Sequence, residues 1–106
     1  MSDSQSAGVV SDQQSVPLRV LIADDNPTDR LILSRLVSRL GHQVVSAENG
    51  LEALAQFSLQ KPNLVLLDAL MPVMDGFEAA RQMKMQAGED LIPIIFLTSL
   101  TETGAL

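Results

Sequence analysis

Acidic or hydroxyl residues follow three short apolar runs of this sequence. They are Asp24 and Asp25, Asp68, and Thr98 with Ser99. If the three runs are neighbouring strands of a parallel sheet, their carboxyl ends meet in one shallow crevice. Carboxylates gathered there would repel one another and would need a cation or a bound proton. A set of oxygen ligands without His or Cys suits a hard divalent ion, Mg²⁺ in particular.

A carboxylate beside such an ion can also act as a nucleophile that attacks phosphorus and forms an acyl phosphate. The ion would offset charge on the transferring group, and a nearby hydroxyl could donate a hydrogen bond to it. Each residue also has a purely structural interpretation. Acids such as Asp24 and Asp25 are favoured where a helix begins, and Thr98 suits a strand end or a helix cap.

Four apolar runs alternate with three helical patterns along the chain. Near-continuous apolar runs of this length indicate strands buried on both faces, and they lie at 18–23, 44–45, 64–67 and 93–97. Apolar residues at helical spacing form three sets: Leu33, Leu36, Val37 and Leu40; Leu51, Leu54, Ala55 and Leu59; and Phe77, Ala80 and Met83. The alternation predicts an α/β fold in which helices cover both faces of a parallel sheet.

Polar residues and glycines mark the boundaries of the predicted helices. Asn26 suits the start of the first helix and Gly41 its end. Asn49-Gly50 predicts a turn, and Asp75 predicts a turn or a cap before the third helix. The predicted helices therefore fill the intervals between the apolar runs.

Length, charge and composition narrow the classes of protein. The chain of 106 residues has room for one small domain, which we predict at 18–106 after a flexible lead-in at 1–17. Lys and Arg number 7 against 13 Asp and Glu, and the net charge of −6 argues against contact with nucleic acid. The absence of Cys excludes disulfides, thiolate metal sites and cysteine nucleophiles. Since no secretory signal and no membrane-spanning stretch is present, we expect a cytoplasmic protein without a membrane partner.

The ordered set of acids, loop and hydroxyls resembles the CheY-like receiver domain of response regulators, the phosphoacceptor module of two-component signalling. The likeness is carried by Asp24-Asp25, Asp68, the sequence MPVMDG at 71–76 and Thr98. It extends from about residue 18 to the end of the chain. The resemblance implies a flavodoxin-like, doubly wound parallel sheet with strand order 2-1-3-4. The fifth strand and helix of the family would be missing, leaving the domain C-terminally incomplete.

The resemblance also implies a role for each site residue. Asp68 would accept a phosphoryl group from a histidine kinase or a histidine phosphotransfer protein. Asp25, Asp68 and the backbone carbonyl of Leu70 would bind Mg²⁺ directly, and Asp24 would bind it through a water. The switch hydroxyls that contact the phosphoryl group would be Thr98 and Ser99.

Two further features of the loops follow from the resemblance. Pro72 and Gly76 match positions that shape the loop after the third strand, as their restricted and permissive backbones allow. Leu70 and Leu100 match positions that flank the water attacking the phosphoryl group. Because apolar side chains cannot orient that water, we predict a long-lived phosphoryl group.

The resemblance is incomplete at the C-terminal end. Family members carry a lysine after the fifth strand that reaches the phosphoryl group, and this chain has none at that place. Lys61 is predicted at the start of the third strand, at the far edge of the sheet, and Lys84 late in the third helix, so that neither could substitute. The fourth strand would then be an exposed apolar edge, which predicts self-association.

We therefore predict a signalling phosphoacceptor domain, not an enzyme with a separate substrate, in which Mg²⁺-dependent phosphorylation of Asp68 switches an output. A pseudo-receiver that binds partners without being phosphorylated is the alternative. A flavin-binding electron carrier is disfavoured because Asp24 and Asp25 would repel a flavin phosphate. An aspartate-based phosphohydrolase would need a second acid two residues after its nucleophile, where this chain has Leu70.

Overall fold

Four parallel strands form the sheet of the computed structural model, which describes residues 16–97. They are β1 (Arg19–Ala23), β2 (Gln43–Ala47), β3 (Leu64–Asp68) and β4 (Ile94–Leu97). The spatial order is β2-β1-β3-β4, and each neighbouring pair is parallel. The predicted doubly wound α/β fold and its strand order are confirmed.

Three helices connect the strands: α1 (Pro27–Arg39), α2 (Gly50–Gln60) and α3 (Gly76–Ala87). Side chains cap each of them at its first turn. Asn26 accepts hydrogen bonds from two backbone N–H groups of α1, and Asn49 and Asp75 each accept one at the start of α2 and α3. The cap predicted at Asp75 is confirmed, but Asn49 and Gly50 are the cap and first residue of α2 and not a separate turn. Within the described part of the chain, no helix has the length and apolarity of a membrane span.

The main apolar core lies between the sheet and the helices α2 and α3. Its fully buried members from the strands and helices are Leu21, Ala23, Val65, Leu67, Ala53, Ala79 and Met83. Val20 and Ile22 alternate with the core residues of β1 and are buried on the opposite face, where α1 contacts β1 and β2. Burial of one such Val, Leu or Ile side chain stabilises the fold by about 1.5 to 3 kcal/mol.

The buried faces of α1 and α2 differ from those predicted. Several residues that we expected in the core are exposed: Leu36 and Leu40 near the end of α1, and Leu51, Ala55 and Leu59 of α2. Ala53 and Phe57 are the α2 residues that pack into the core instead. Apolar residues occupy most of the circumference of α2, so that spacing alone does not select the face that the sheet covers.

The strand β4 forms one edge of the sheet over residues 16–97, because it pairs only with β3 there. Ile95 is 50% exposed and Phe96 is 43% exposed. The ring of Phe96 packs against that of Phe77 with 5.0 Å between centroids, while Ile95 lies on the opposite face, since neighbouring residues of a strand alternate. Within residues 16–97, β4 is therefore the exposed apolar edge that the sequence predicted, and self-association through it stays a prediction.

Candidate functional site

The register of β1 and β3 brings three acids together at the carboxyl ends of the strands. Ala23 of β1 pairs with Leu67 of β3, so that the residues that follow them, Asp24 and Asp68, lie side by side. Carboxylate oxygens of Asp24, Asp25 and Asp68, one from each, all lie within 4.8 Å of one another. We call these three residues the acidic pocket.

Asp68 is a buried carboxyl group among like charges. Only 5% of the residue is exposed. Burial, together with repulsion from Asp24 and Asp25, raises the pKa of Asp68 from 3.8 to about 6. A hydrogen bond opposes this rise, since the backbone N–H of Leu70 donates to Asp68 Oδ1 at 3.2 Å. The ionised form of Asp68 is therefore unfavourable in free energy, and a bound cation would offset this penalty.

Asp24 experiences the same two effects at the end of β1. The residue is 2% exposed, and burial followed by repulsion from Asp29 and Asp25 raises the pKa of its carboxyl group. The backbone N–H of Asn26 donates to Asp24 Oδ1 at 2.9 Å and lowers the pKa in opposition. Asp25, in contrast, is exposed. The pocket therefore combines two buried carboxyl groups with one that faces solvent.

The donor set of the acidic pocket fits Mg²⁺. All the clustered ligand atoms are carboxylate oxygens, and Mg²⁺ prefers oxygen ligands and binds through one or two carboxylates while keeping several waters. The exposed Asp25 leaves the pocket open to solvent.

The loop after β3 contains a strained γ-turn. The backbone N–H of Met74 donates to the carbonyl of Pro72 at 2.8 Å, and Val73 between them has φ 72°. A β-branched residue rarely adopts this left-handed region. Val73 lies five residues after Asp68 in the sequence, and strained backbone of this kind tends to occur at functional sites.

Two glycines hold this loop against the helices that flank it. The N–H of Gly76 donates to Ala69 O at 2.8 Å, and a Cβ on Gly76 would lie 2.1 Å from the backbone carbonyl oxygen of Asp68. The N–H of Gly50 donates to Met74 O at 3.0 Å, and a Cβ there would lie 2.0 Å from the same oxygen. The sequence pointed to Gly76 but missed Gly50, whose pairing with Asn49 we interpreted as a local turn.

The remaining predicted site residues are only partly placed. Leu97 pairs with Asp68 in the sheet, but the hydroxyls predicted after it, Thr98 and Ser99, lie outside the described residues, as does Leu100. The side chain of Leu70 is exposed.

The two lysines that we predicted could not replace the lysine of the family, Lys61 and Lys84, both lie away from the acidic pocket. Lys61 is the C-cap of α2 and not the start of β3, and it lines a surface pocket with Arg19 and Gln43, the first residues of β1 and β2. Lys84 lines a cavity beside Pro93 and Ile94, where β4 begins. Both therefore lie toward the amino ends of the strands, opposite the acids.

A doubly wound sheet with acids gathered beside the carboxyl ends of β1 and β3 is the arrangement expected of a receiver domain of two-component signalling. The sequence matches the response regulator receiver domain family over residues 20–105. The chain belongs to this family. Its members are signalling domains of two-component systems, not classical enzymes, and generally bind Mg²⁺ at an acidic cluster.

Known proteins similar to this chain include curated relatives and solved structures. It is 42% identical over 81 residues to Protein PilH of Pseudomonas aeruginosa, covering 76% of this chain and 67% of that protein. Its fold resembles the chemotaxis protein CheY4 of Vibrio cholerae with a TM-score of 0.72 and 30% identity, over 84% of this chain and 77% of that one. It also resembles the anti-anti-sigma factor PhyR of Bartonella quintana in complex with the anti-sigma factor NepR, with a TM-score of 0.74 and 30% identity, over 89% and 38% of the two chains. The chain spans only 35% and 7% of two further curated relatives.

Proposed function

We propose that this receiver domain accepts a phosphoryl group on Asp68 from a histidine kinase or a histidine phosphotransfer protein, with Mg²⁺ as cofactor, and thereby switches an output. The observation that carries the proposal is the environment of the Asp68 carboxylate. It is buried, it lies within 4.8 Å of two other carboxylates, and its pKa is about 6. At neutral pH such a group is mostly ionised and available as a nucleophile.

In the proposed transfer, a carboxylate oxygen of Asp68 attacks the phosphorus of a phosphohistidine. The new O–P bond forms as the P–N bond breaks, and the electron pair returns to the imidazole nitrogen, which takes up a proton. The N–H of Leu70 holds Oδ1 of Asp68, which leaves Oδ2 for the attack. Bound Mg²⁺ would offset the charge of the pocket and of the transferring group.

The chain's own oxygens would hold the ion in the pattern that the family implies. We assign Asp25, Asp68 and the backbone carbonyl of Leu70 as direct ligands and Asp24 as a ligand through water. Thr98 and Ser99 remain the proposed hydroxyl donors to the phosphoryl group. The cytoplasmic location and the long-lived phosphoryl group stay predictions.

A second candidate is a pseudo-receiver that binds a protein partner without phosphorylation. The similar PhyR structure is a complex with the anti-sigma factor NepR, and a protein partner bound to a related chain favours this candidate. The intact set of Asp24, Asp25 and Asp68 favours phosphorylation, because a domain that only binds partners has no use for three mutually repelling acids.

Incubation with acetyl phosphate and Mg²⁺, followed by intact-mass and peptide-mass spectrometry, tests the proposal. We expect the mass of one phosphoryl group on Asp68, lost with a chelator and in Asp68→Asn. Asp90→Asn removes the same charge from an exposed residue just before β4 and should accept the group normally. No added mass with Mg²⁺ present, or equal addition to Asp68→Asn, would reject phosphorylation and leave the pseudo-receiver.

A further inference from the structure

Asp29, in the first turn of α1, is a buried acid to which the proposed transfer assigns no role. The residue is 4% exposed, and its Oδ2 atom is buried without a hydrogen-bond donor from residues 16–97. A buried carboxylate oxygen without a partner is unfavourable. The positive end of the helix dipole offsets part of this cost at such a position, but it supplies no hydrogen bond to Oδ2.

Asp29 lies four residues after Asp25, in the first turn of the helix that follows the acidic pocket. The charge of its carboxyl group contributes to the raised pKa of Asp24. Asn26 also links the two residues: its side-chain Oδ1 accepts from the backbone N–H of Asp29 at 3.0 Å, while its backbone N–H donates to Asp24 Oδ1 at 2.9 Å. Arg30, the adjacent cation, directs its guanidinium to the backbone carbonyl of Asp24 at 2.6 Å.

The distances separate Asp29 from the direct ligands. The group of carboxylates that lie within 4.8 Å of one another contains Asp24, Asp25 and Asp68 but not Asp29. A hydrated Mg²⁺ carries waters that donate hydrogen bonds to carboxylates beyond its direct ligands. Such a water is a donor of the kind that residues 16–97 do not supply to the Oδ2 atom of Asp29.

We propose that Asp29 is an outer carboxylate of the cation site, which accepts a hydrogen bond from the water shell of the ion and strengthens its binding. The inference rests on the proposed function, because it requires Mg²⁺ in the acidic pocket. Asp29 is therefore a positioning residue and does not touch the reacting atoms.

The role predicts opposite effects of one substitution in the presence and absence of Mg²⁺. Asp29→Asn keeps the shape of the side chain, removes repulsion of Asp24 and supplies an amide donor. The protein without Mg²⁺ should therefore melt at the same or a higher temperature. The affinity of Asp29→Asn for Mg²⁺ should be about tenfold lower than that of the wild type, as is common when an outer-shell partner of a metal site is removed.

Isothermal titration with Mg²⁺ and thermal melting without it, on the wild type, Asp29→Asn and the charge-matched Asp90→Asn, test the proposal. We expect Asp90→Asn to bind as the wild type does and Asp29→Asn to bind about tenfold more weakly. Equal affinities of the two variants would overturn the proposed role of Asp29 and leave the proposed function standing. A lower melting temperature of Asp29→Asn without Mg²⁺ would also overturn it, because it would indicate a structural role. If the wild type binds no Mg²⁺, the proposed function itself fails.

Discussion

The apolar core under α2 and α3 and the acidic pocket beside it are both buried, yet they affect the stability of the domain in opposite directions. In the core, Leu21, Leu67 and Met83 have no exposed surface, and their burial favours folding whatever the pH or the cation concentration. In the pocket, burial and mutual repulsion raise the pKa values of Asp24 and Asp68. Two adjacent regions of one sheet therefore have different tasks.

The difference shows how the fold carries its site. The strands β1 and β3 contribute their middle residues to the core and their last residues to the pocket, so that Leu67 and Asp68 are neighbours with opposite energetic effects. A sheet stabilised by its apolar face can tolerate repelling acids at its carboxyl edge. Ligand binding there would return stability, because an ion that binds only the folded state stabilises it.

The substitution Leu21→Ala measures the contribution of the core. It removes a fully buried side chain from β1, and we expect the free energy of unfolding to fall by roughly 3 to 5 kcal/mol. Because no charge changes, urea denaturation should show the same loss with and without Mg²⁺. A loss that depends on Mg²⁺ would contradict the separation of core and pocket.

The substitution Ile95→Lys tests whether apolar residues that the helices do not cover promote association. Ile95 is half exposed on β4, and burial of such a side chain against a second copy would contribute about 1.5 to 3 kcal/mol. We expect light scattering to show concentration-dependent association of the wild type and a monomer for Ile95→Lys. Leu91→Lys, at an exposed position outside the strands, is the control and should associate as the wild type does. A monodisperse wild-type monomer would contradict association through β4.

The substitution Asp68→Asn measures how much the acidic pocket lowers the free energy of unfolding. The pKa of Asp68 rises from 3.8 to about 6 on folding, so the folded chain retains a proton that the unfolded chain releases. Stability from this group is present below pH 3.8 and is lost as the pH rises through about 6. Without Mg²⁺ at about pH 7.5, Asp68→Asn should therefore be more stable than the wild type by about 1 to 3 kcal/mol.

Denaturation at several pH values checks both parts of this prediction. The advantage of Asp68→Asn over the wild type should shrink as the pH falls from about 7.5 toward 4. Mg²⁺ should stabilise the wild type and have little effect on the variant. Equal stabilities at all pH values would show that Asp68 is not held among repelling charges.

The substitution Val73→Gly measures the strain in the loop after β3. The positive φ of Val73 is unfavourable for any residue that has a side chain. Glycine would relieve this strain but would lose more conformational entropy on folding. The net effect should be a stabilisation of about 0.5 to 1 kcal/mol. Val73→Ala retains the conformational penalty and should show no such gain in thermal melting. An equal gain in both variants would mean that the γ-turn stores no strain.

Sequence reasoning predicted the order of elements and the meeting of the acids, because both depend on local patterns. Apolar runs define strands, and parallel strands must end at the same edge. The same reasoning predicted the wrong face for α2, where Leu51 and Leu59 are exposed and Ala53 and Phe57 are buried. The face of α2 that is buried depends on its contacts with β1 and β2. The pattern of residues within the helix does not reveal these contacts.

Two residues of the site depend on distant contacts and were missed for that reason. Gly50 is required because the carbonyl of Met74 occupies the space of a Cβ, and that contact joins the start of α2 to the loop after β3. Asp29 matches an ordinary acid in a first helical turn until it is known that the residue is buried and that residues 16–97 supply no donor to its Oδ2 atom. In each case the residue type is common and only the tertiary environment makes it informative.

Paramagnetic broadening of backbone amide signals by Mn²⁺, used in place of Mg²⁺, tests most directly whether the acidic pocket is a cation site. At low Mn²⁺ concentration, the first signals to broaden should be those of Asp25, Asp68 and Leu70, and excess Mg²⁺ should restore them. Asp68→Asn should abolish the effect. Broadening centred on other acids, such as Glu89 and Asp90 before β4, would contradict the site on which the proposed phosphoryl transfer depends.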